Sequence, residues 1–241
     1  YMGDPDRIQV PIDELLDPAQ IAAIQKDFDS TKTHDRTHYG TSIDIGTDGG
    51  TQHISVLDGS GMAVALTTTV NTSFASRVVA PQSGILLNNE MDDFVAKPGV
   101  PNHYGLVGSE SNAVSPGARP LSSMSPTVLI SPDGSERIVV GASGGPFIIT
   151  STLQAILNVI DFGMDPAEAV SVPRIHHQWA PDLLFVDRGV SHDTIVALEA
   201  LGHTVKQMDF FSSVQLIHGT DDGLQGASDP RKGGWPAGSE K

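Results

Sequence analysis

Thr51 follows a glycine pair, Gly49-Gly50, and opens the run Thr51-Gln52-His53-Ile54-Ser55-Val56-Leu57. A threonine hydroxyl attacks well only with a base beside it. One solution makes the threonine the first residue of a mature chain, so that its own α-amine takes the proton. That requires a break in the peptide bond between Gly50 and Thr51, and glycine there offers no Cβ bulk and tolerates strained dihedrals. Read by itself, Asp48-Gly49-Gly50 is a turn before a strand, and the other motifs must decide between the two readings.

Ser143-Gly144-Gly145-Pro146 lies between a strand end and a helix start, where backbone N–H groups lack helical partners and the dipole favours negative charge. Glycines there let a substrate oxygen approach the main chain, as an oxyanion hole needs, although a tight strand-to-helix turn has the same sequence. Asn88-Asn89-Glu90-Met91-Asp92-Asp93 concentrates carboxylates that suit a substrate ammonium or a metal. A solvated acidic loop would look the same, and no neighbouring histidine completes a metal set. Pro120-Leu121-Ser122-Ser123-Met124-Ser125-Pro126 offers short hydroxyl donors for a carboxylate. His53 shares a strand face with Thr51 or fills the core. His176-His177, after Pro173, has no acid at useful spacing, so no histidine is expected to act in catalysis.

The elements around these residues follow from patterning. Asp17 caps a helix with Pro18 at its first position and Ile21, Ala22, Ile24 and Phe28 at helical spacing. Residues 29–50 are polar and read as an exposed linker or processing segment. Strands 51–57 and 62–71 flank Asp58-Gly59-Ser60-Gly61 and form a hairpin. The loop-rich stretch 72–125 is long enough to carry function. A second hairpin pairs 127–130 with 137–140. A helix follows over 146–162, with Ile149, Leu153, Ile156, Leu157 and Ile160 on one face and Gly163 as its stop. A short helix starts at Asp165-Pro166, a strand covers 183–186, a helix lies between Ser191 and Gly202, and strands cover 204–208 and 214–218. Two-layer or four-layer packing of helices on largely antiparallel sheets fits this order.

The composition excludes several classes. The 241 residues suffice for one sizeable core, and no apolar run reaches the ~20 residues of a membrane span. With 14 Lys+Arg against 29 Asp+Glu the net charge is -15, which argues against nucleic acid and anionic membranes as partners. Cysteine is absent, so disulfides and thiolate metal sites are excluded.

Taken in order, the motifs resemble the gamma-glutamyltransferase family of N-terminal-nucleophile hydrolases. The match runs from Thr51 to about Gly238. It includes the Gly-Gly-Thr-x-His-Ile-Ser-Val start, the stretch from Ser83 to Phe94, residues 116–127, Gly144-Gly145, and Asp229-Pro230-Arg231-Lys232-Gly233-Gly234. The resemblance implies an α+β, four-layer αββα sandwich only partly contained in this chain. Residues 1–50 would be the tail of the large subunit, and 51–241 the catalytic small subunit.

It further implies autocatalytic cleavage between Gly50 and Thr51. The γ-glutamyl amide of glutathione or a related compound would then be attacked by Thr51, and the γ-glutamyl group passed to water, an amino acid or a dipeptide. Thr69 would orient Thr51, and Gly144 and Gly145 would bind the oxyanion. Asn71, Glu90 and Asp93 would hold the substrate α-amine, and Ser122 and Ser123 its carboxylate. Asn102-His103-Tyr104-Gly105-Leu106-Val107-Gly108 is similar to the lid of bacterial members, with Tyr104 bonding Asn71. Thr37-His38-Tyr39 also resembles a small-subunit start, but Thr51 and Thr69 are 69 − 51 = 18 apart, the family's hairpin length, and Thr37 is not. The large subunit of the same precursor would supply an arginine for the carboxylate and half the sheet. Pro146 stands where relatives often have Ser or Thr. Neither metal nor organic cofactor is implied, and the family expectation is a periplasmic or secreted protein. The alternatives are a related amidase acting on a β-lactam side chain or poly-γ-glutamate, and an uncleaved, catalytically silent fragment.

Overall fold

The computed structural model describes residues 2–35, 38, 50–209 and 212–239. Its centre is the four-stranded sheet β3-β4-β8-β9, built from β3 (Thr127–Ile130), β4 (Arg137–Ser143), β8 (Ser213–Thr220) and β9 (Gly223–Ser228), antiparallel throughout. On one face lies the hairpin of β1 (Thr51–Leu57) and β2 (Ala63–Thr69), whose register pairs Thr51 with Thr69. On the other lie α3 (Phe147–Ile160) and α4 (Pro166–Ser171). The described chain therefore holds three layers of the expected sandwich. A separate sheet, β5-β6-β7, joins β5 (Ile175–His176), β6 (Leu184–Asp187) and β7 (Val205–Met208), with α5 (His192–Ala200) between β6 and β7. Near the start, α1 (Ile12–Leu15) precedes α2 (Pro18–Asp27), which Asp17 caps by accepting from the Ala19 N–H at 2.8 Å.

β4 is buried on both sides because it is sandwiched. Its Ile138, Val140 and Ala142 join Ile148, Ala155, Val159, Val170, Val214 and Leu216 in the core under α3 and α4. From the opposite face Gly141 meets the hairpin: a Cβ there would lie 2.3 Å from the His53 ring. The hairpin inverts the usual in–out pattern of a half-buried strand. Thr51, His53 and Ser55 turn toward the sheet, while Ile54, Val56, Val64 and Leu66 face outward, each about half exposed.

Several expectations need correction. The predicted apolar face of α3 is not the buried one: Ile149, Leu153, Leu157 and Ile160 are exposed, and Phe147, Ile148, Ser151, Thr152, Ala155 and Val159 pack inward. The buried face carries the small polar Ser151 and Thr152 while large apolar residues remain on the exposed one, so periodicity pointed to the wrong face. The apolar side of α2 is likewise unburied. His177 does have an acid partner, Asp182 Oδ1 at 3.3 Å from Nε2, brought near by the turn before β6. β5 and β9 were not anticipated. Thr37 and Tyr39 lie outside the described residues.

Residues before the cleavage candidate also dock on the loops. Asp4 is buried and accepts from the Arg119 backbone N–H at 2.9 Å and from its guanidinium at 2.7 Å, which holds its carboxyl below the usual carboxylate range. Arg7 donates to the Pro116 carbonyl at 2.9 Å.

Candidate active site

The start of β1 and the end of β2 bring two hydroxyls together: Thr51 Oγ1 and Thr69 Oγ1 are 2.9 Å apart. Thr69 Oγ1 also accepts from the Asn71 N–H at 2.8 Å. Asn71 is buried in the left-handed region at φ 74, a conformation that Asn tolerates better than most residues. It donates from Nδ2 to the Asn89 carbonyl at 3.1 Å, and Asn89 Oδ1 accepts from Thr72 N and Oγ1 at 3.2 and 3.1 Å. The turn after β2 is thus tied to the acidic loop.

Tyr104 closes over this group. Its hydroxyl donates to Asn71 Oδ1 at 2.5 Å, and the ring is buried. The loop carrying it is folded by Asn102 Oδ1, which accepts from the Tyr104 and Leu106 N–H groups at 3.0 Å each, and is tied down where Asp92 Oδ2 accepts from His103 N at 3.0 Å. Below it, His176 is buried between Thr150 Oγ1 at 2.7 Å and Gln178 Oε1 at 2.9 Å, and burial lowers its basicity. Gln178 reaches on to the Tyr104 carbonyl at 3.4 Å.

A cleft opens against Thr51, lined by Thr69, Asn71, Asp93, Tyr104, Ser122, Ser123 and Gly145, among others. Asp93 ends a single 3-10 turn, Glu90–Asp93, so Glu90 lies one turn away. Asn112 sets the acid against the serines: it is buried, its Nδ2 donates to the Asp93 carbonyl at 2.7 Å, and its Oδ1 accepts from Leu121 N at 3.0 Å. At the end of β4, Gly144 (φ 140) and Gly145 (φ 57) make a turn that residues with a Cβ rarely adopt, and their carbonyls accept from the Phe147 and Ile148 N–H groups that start α3. The N–H groups of both glycines therefore precede the helix, where its dipole is positive.

The sequence-derived set converges on one place: Thr51, Thr69, Asn71, Asp93, Tyr104, Ser122, Ser123 and Gly145 share the cleft, with Gly144 and Glu90 adjoining it in sequence. Gly50 precedes it, its carbonyl accepting from Val70 N at 3.2 Å. His53 is a satisfied core residue, with Nδ1 2.7 Å from Thr67 Oγ1 and Nε2 3.1 Å from Ser55 Oγ. Burial lowers its pKa to about 4, so the ring is neutral at ordinary pH. Asp27, His34 and His38 place potential ligand atoms within 4.8 Å of one another, but none of the three lines the cleft.

Sequence reasoning missed Asn112, the Gln178 brace and Lys232. Lys232 Nζ donates to the Thr51 carbonyl at 2.7 Å and to Ser143 Oγ at 3.3 Å. It sits in the Asp229-Pro230-Arg231-Lys232 motif, which was visible in the chain without a role attached. That motif is fixed from below. Asp229 is buried and accepts from Arg174 Nη2 at 2.6 Å and from Val214 N at 3.0 Å. Arg231 bonds Asp187 at 2.7 Å and takes up the carbonyls of Val170, Ser171 and Val172 at the end of α4.

Comparisons with known proteins agree with this geometry. Residues 1–239 match the family model described as gamma-glutamyltranspeptidase. The chain is 49% identical over 234 residues to the glutathione hydrolase proenzyme of Escherichia coli strain K12, covering 96% of this chain and 40% of that one. It thus spans well under half the length of that relative. Among solved structures, the gamma-glutamyltranspeptidase of Pseudomonas nitroreducens complexed with L-DON is 40% identical with a TM-score of 0.74, covering 78% of this chain and 99% of the other. A Helicobacter pylori gamma-glutamyltranspeptidase is 45% identical with a TM-score of 0.71, covering 75% and 99%. Fold, motifs and sequence agree: the chain belongs to the gamma-glutamyltranspeptidase family.

Proposed function

We propose that this chain carries the nucleophile half of a self-processing γ-glutamyl transferase and hydrolase. The observation that carries the reading is the Thr51–Thr69 hydroxyl pair at 2.9 Å, at the head of a cleft lined by Asn71, Asp93, Ser122, Ser123 and Gly145.

Thr51 Oγ attacks the Gly50 carbonyl, forming an ester and freeing the Thr51 amine. Water then hydrolyses the ester, leaving Gly50 with a carboxylate and Thr51 with both its hydroxyl and its α-amine. In turnover the amine takes the hydroxyl proton as Oγ attacks the γ-carbonyl of glutathione or a similar compound, with Thr69 holding Oγ in line. The tetrahedral oxyanion accepts from the N–H groups of Gly144 and Gly145. Collapse expels the leaving amine, which takes the proton back from the α-ammonium. Water or the amine of an acceptor amino acid or dipeptide then resolves the γ-glutamyl ester. Asn71, Glu90 and Asp93 hold the substrate ammonium, Ser122 and Ser123 its carboxylate, and Tyr104 excludes water.

Residues 1–50 belong in this reading to the large subunit and 51–241 to the small one, associated as a heterodimer. The outward Ile54, Val56, Val64 and Leu66 and the exposed face of α3 support a partner layer, since apolar surface of this extent is ordinarily covered. A periplasmic or secreted location accords with the family, and no helix among the described residues is long and apolar enough to cross a membrane. The test is turnover of glutathione by the complete two-subunit protein with and without glycylglycine. Glutamate from hydrolysis is expected, with γ-glutamyl-glycylglycine as well when the acceptor is present, each formed with release of cysteinylglycine. Absence of both products from fully cleaved protein would overturn the reading.

A further inference from the structure

We infer that Lys232 is a positioning residue for the nucleophile, fixing the Thr51 main chain and keeping the freed α-amine unprotonated so that it can serve as the base. The inference rests on the assignment of Thr51 above.

The geometry is specific. Lys232 Nζ donates to the Thr51 carbonyl at 2.7 Å and to Ser143 Oγ at 3.3 Å, so it spans the first residue of β1 and the last of β4. Its base is rigid, because the preceding Asp229 and Arg231 are locked by Arg174, Asp187 and the end of α4. A long, rotamer-rich side chain held at both ends keeps its charge in place. Lys232 lines a separate groove along β1 and β8, with Gln52, His53, Ser143 and Gln215, rather than the cleft. It acts on Thr51 and not on the donor substrate.

A carbonyl oxygen and the nitrogen of the same residue are separated by little more than the backbone unit. The ammonium therefore lies within about 6 Å of the Thr51 nitrogen. A second cation at that range disfavours protonation of an amine. The other charged or titratable groups facing this nitrogen do not replace it. His53, two residues along β1, is neutral. Asp93, across the cleft, together with Glu90, one turn before it, favours the protonated amine, the opposite effect. Asp229 and Arg231 are engaged with each other and with Arg174 and Asp187. An α-amine ordinarily titrates near pH ~7.7, so without an opposing cation much of it would be protonated at neutral pH beside these carboxylates.

The test compares Lys232→Met, which keeps most of the stem, with Lys232→Arg in the two-subunit protein. Both subunits are co-expressed as separate chains, the small one beginning at Thr51 after removal of an initiator methionine, so that a variant slow to self-cleave is still obtained mature. Two quantities are read: the pH profile of kcat/KM for γ-glutamyl-p-nitroanilide, and competitive acetylation of the Thr51 amine against pH, scored by mass spectrometry. The amine must be neutral to act, and losing the nearby cation raises its pKa, so the acid limb should move to higher pH. The expected result is a rise of about one pH unit in both midpoints for Lys232→Met, with the alkaline plateau kept within about tenfold, and a Lys232→Arg profile close to the parent. Coincident Lys232→Met and parent midpoints, or a loss of equal size at every pH, would overturn the inference. If the parent itself shows no dependence on the Thr51 amine, the fault lies in the nucleophile assignment instead.

Discussion

Removing only the Thr69 hydroxyl, as Thr69→Val does at nearly constant shape, should cripple the nucleophile while leaving the hairpin intact. In the structure that oxygen has two partners, the Thr51 hydroxyl at 2.9 Å and the Asn71 N–H at 2.8 Å. The first bond strengthens as Thr51 Oγ loses its proton and gains negative charge, and a hydrogen bond to a charged group contributes about 1.5–3 kcal/mol, or roughly 10- to 150-fold in rate. The second leaves a donor unmatched on a buried residue, a local loss of about 1–3 kcal/mol that loosens the Asn71 turn and the Tyr104 hydroxyl resting on it. kcat/KM for γ-glutamyl-p-nitroanilide, normalised to cleaved protein, should fall by about 10- to 150-fold, and Thr69→Ser should recover to within about threefold. Circular dichroism and thermal midpoints of the two variants establish that the fold survives. A Thr69→Val enzyme with parental kcat/KM, or a Thr69→Ser enzyme equally impaired, would refute the orienting role.

Further outcomes follow from the same contacts. Gly50→Ala would place a Cβ 2.6 Å from the Asn71 carbonyl oxygen and 2.7 Å from that of Thr72, so self-cleavage of the precursor, followed by gel electrophoresis, should slow by about tenfold or more. Tyr104→Phe removes the 2.5 Å bond to Asn71 Oδ1, and the ratio of transfer to hydrolysis with glycylglycine should fall several-fold, about 3- to 10-fold, as water reaches the ester. His53 is buried neutral with its pKa lowered from 6.5 to about 4, so acid must force a charge into the hairpin–sheet interface. Stability is therefore full above about pH 6.5 and falls by roughly 3 kcal/mol as pH drops toward 4, an acid loss that His53→Gln should reduce in thermal melts at pH 7 and pH 5.

What the sequence disclosed was mostly local. The β1–β2 hairpin is written in its turn, where Asp58 Oδ1 accepts from the Ser60 and Met62 N–H groups at 2.8 and 2.9 Å. Caps at Asp17, Asp165 and Ser191 likewise act within a few residues. The site residues were legible as ordered motifs, and the fold then brought them to one cleft. Long-range supports were not legible. Asn112 joins Asp93 to Leu121, Asp4 holds Arg119, and Lys232 reaches Thr51, all across separations that no periodicity encodes. β9 escaped because Gly223-Leu224-Gln225-Gly226-Ala227-Ser228 has little alternation, and its extended form is imposed by pairing with β8. The outward Ile54 and Val56 were visible as residues, but which side of the hairpin met the sheet depended on Gly141 making room for His53.

The central claim is that Thr51 becomes an N-terminal residue and works through its own amine. Intact-mass and N-terminal analysis of the complete precursor, alongside its turnover of γ-glutamyl-p-nitroanilide, tests this directly. The account predicts a fragment beginning at Thr51 that appears in step with activity, and a Thr51→Ala precursor that stays uncut and inactive. A fully active preparation with the Gly50–Thr51 bond intact, or normal cleavage at that bond in Thr51→Ala, would contradict it.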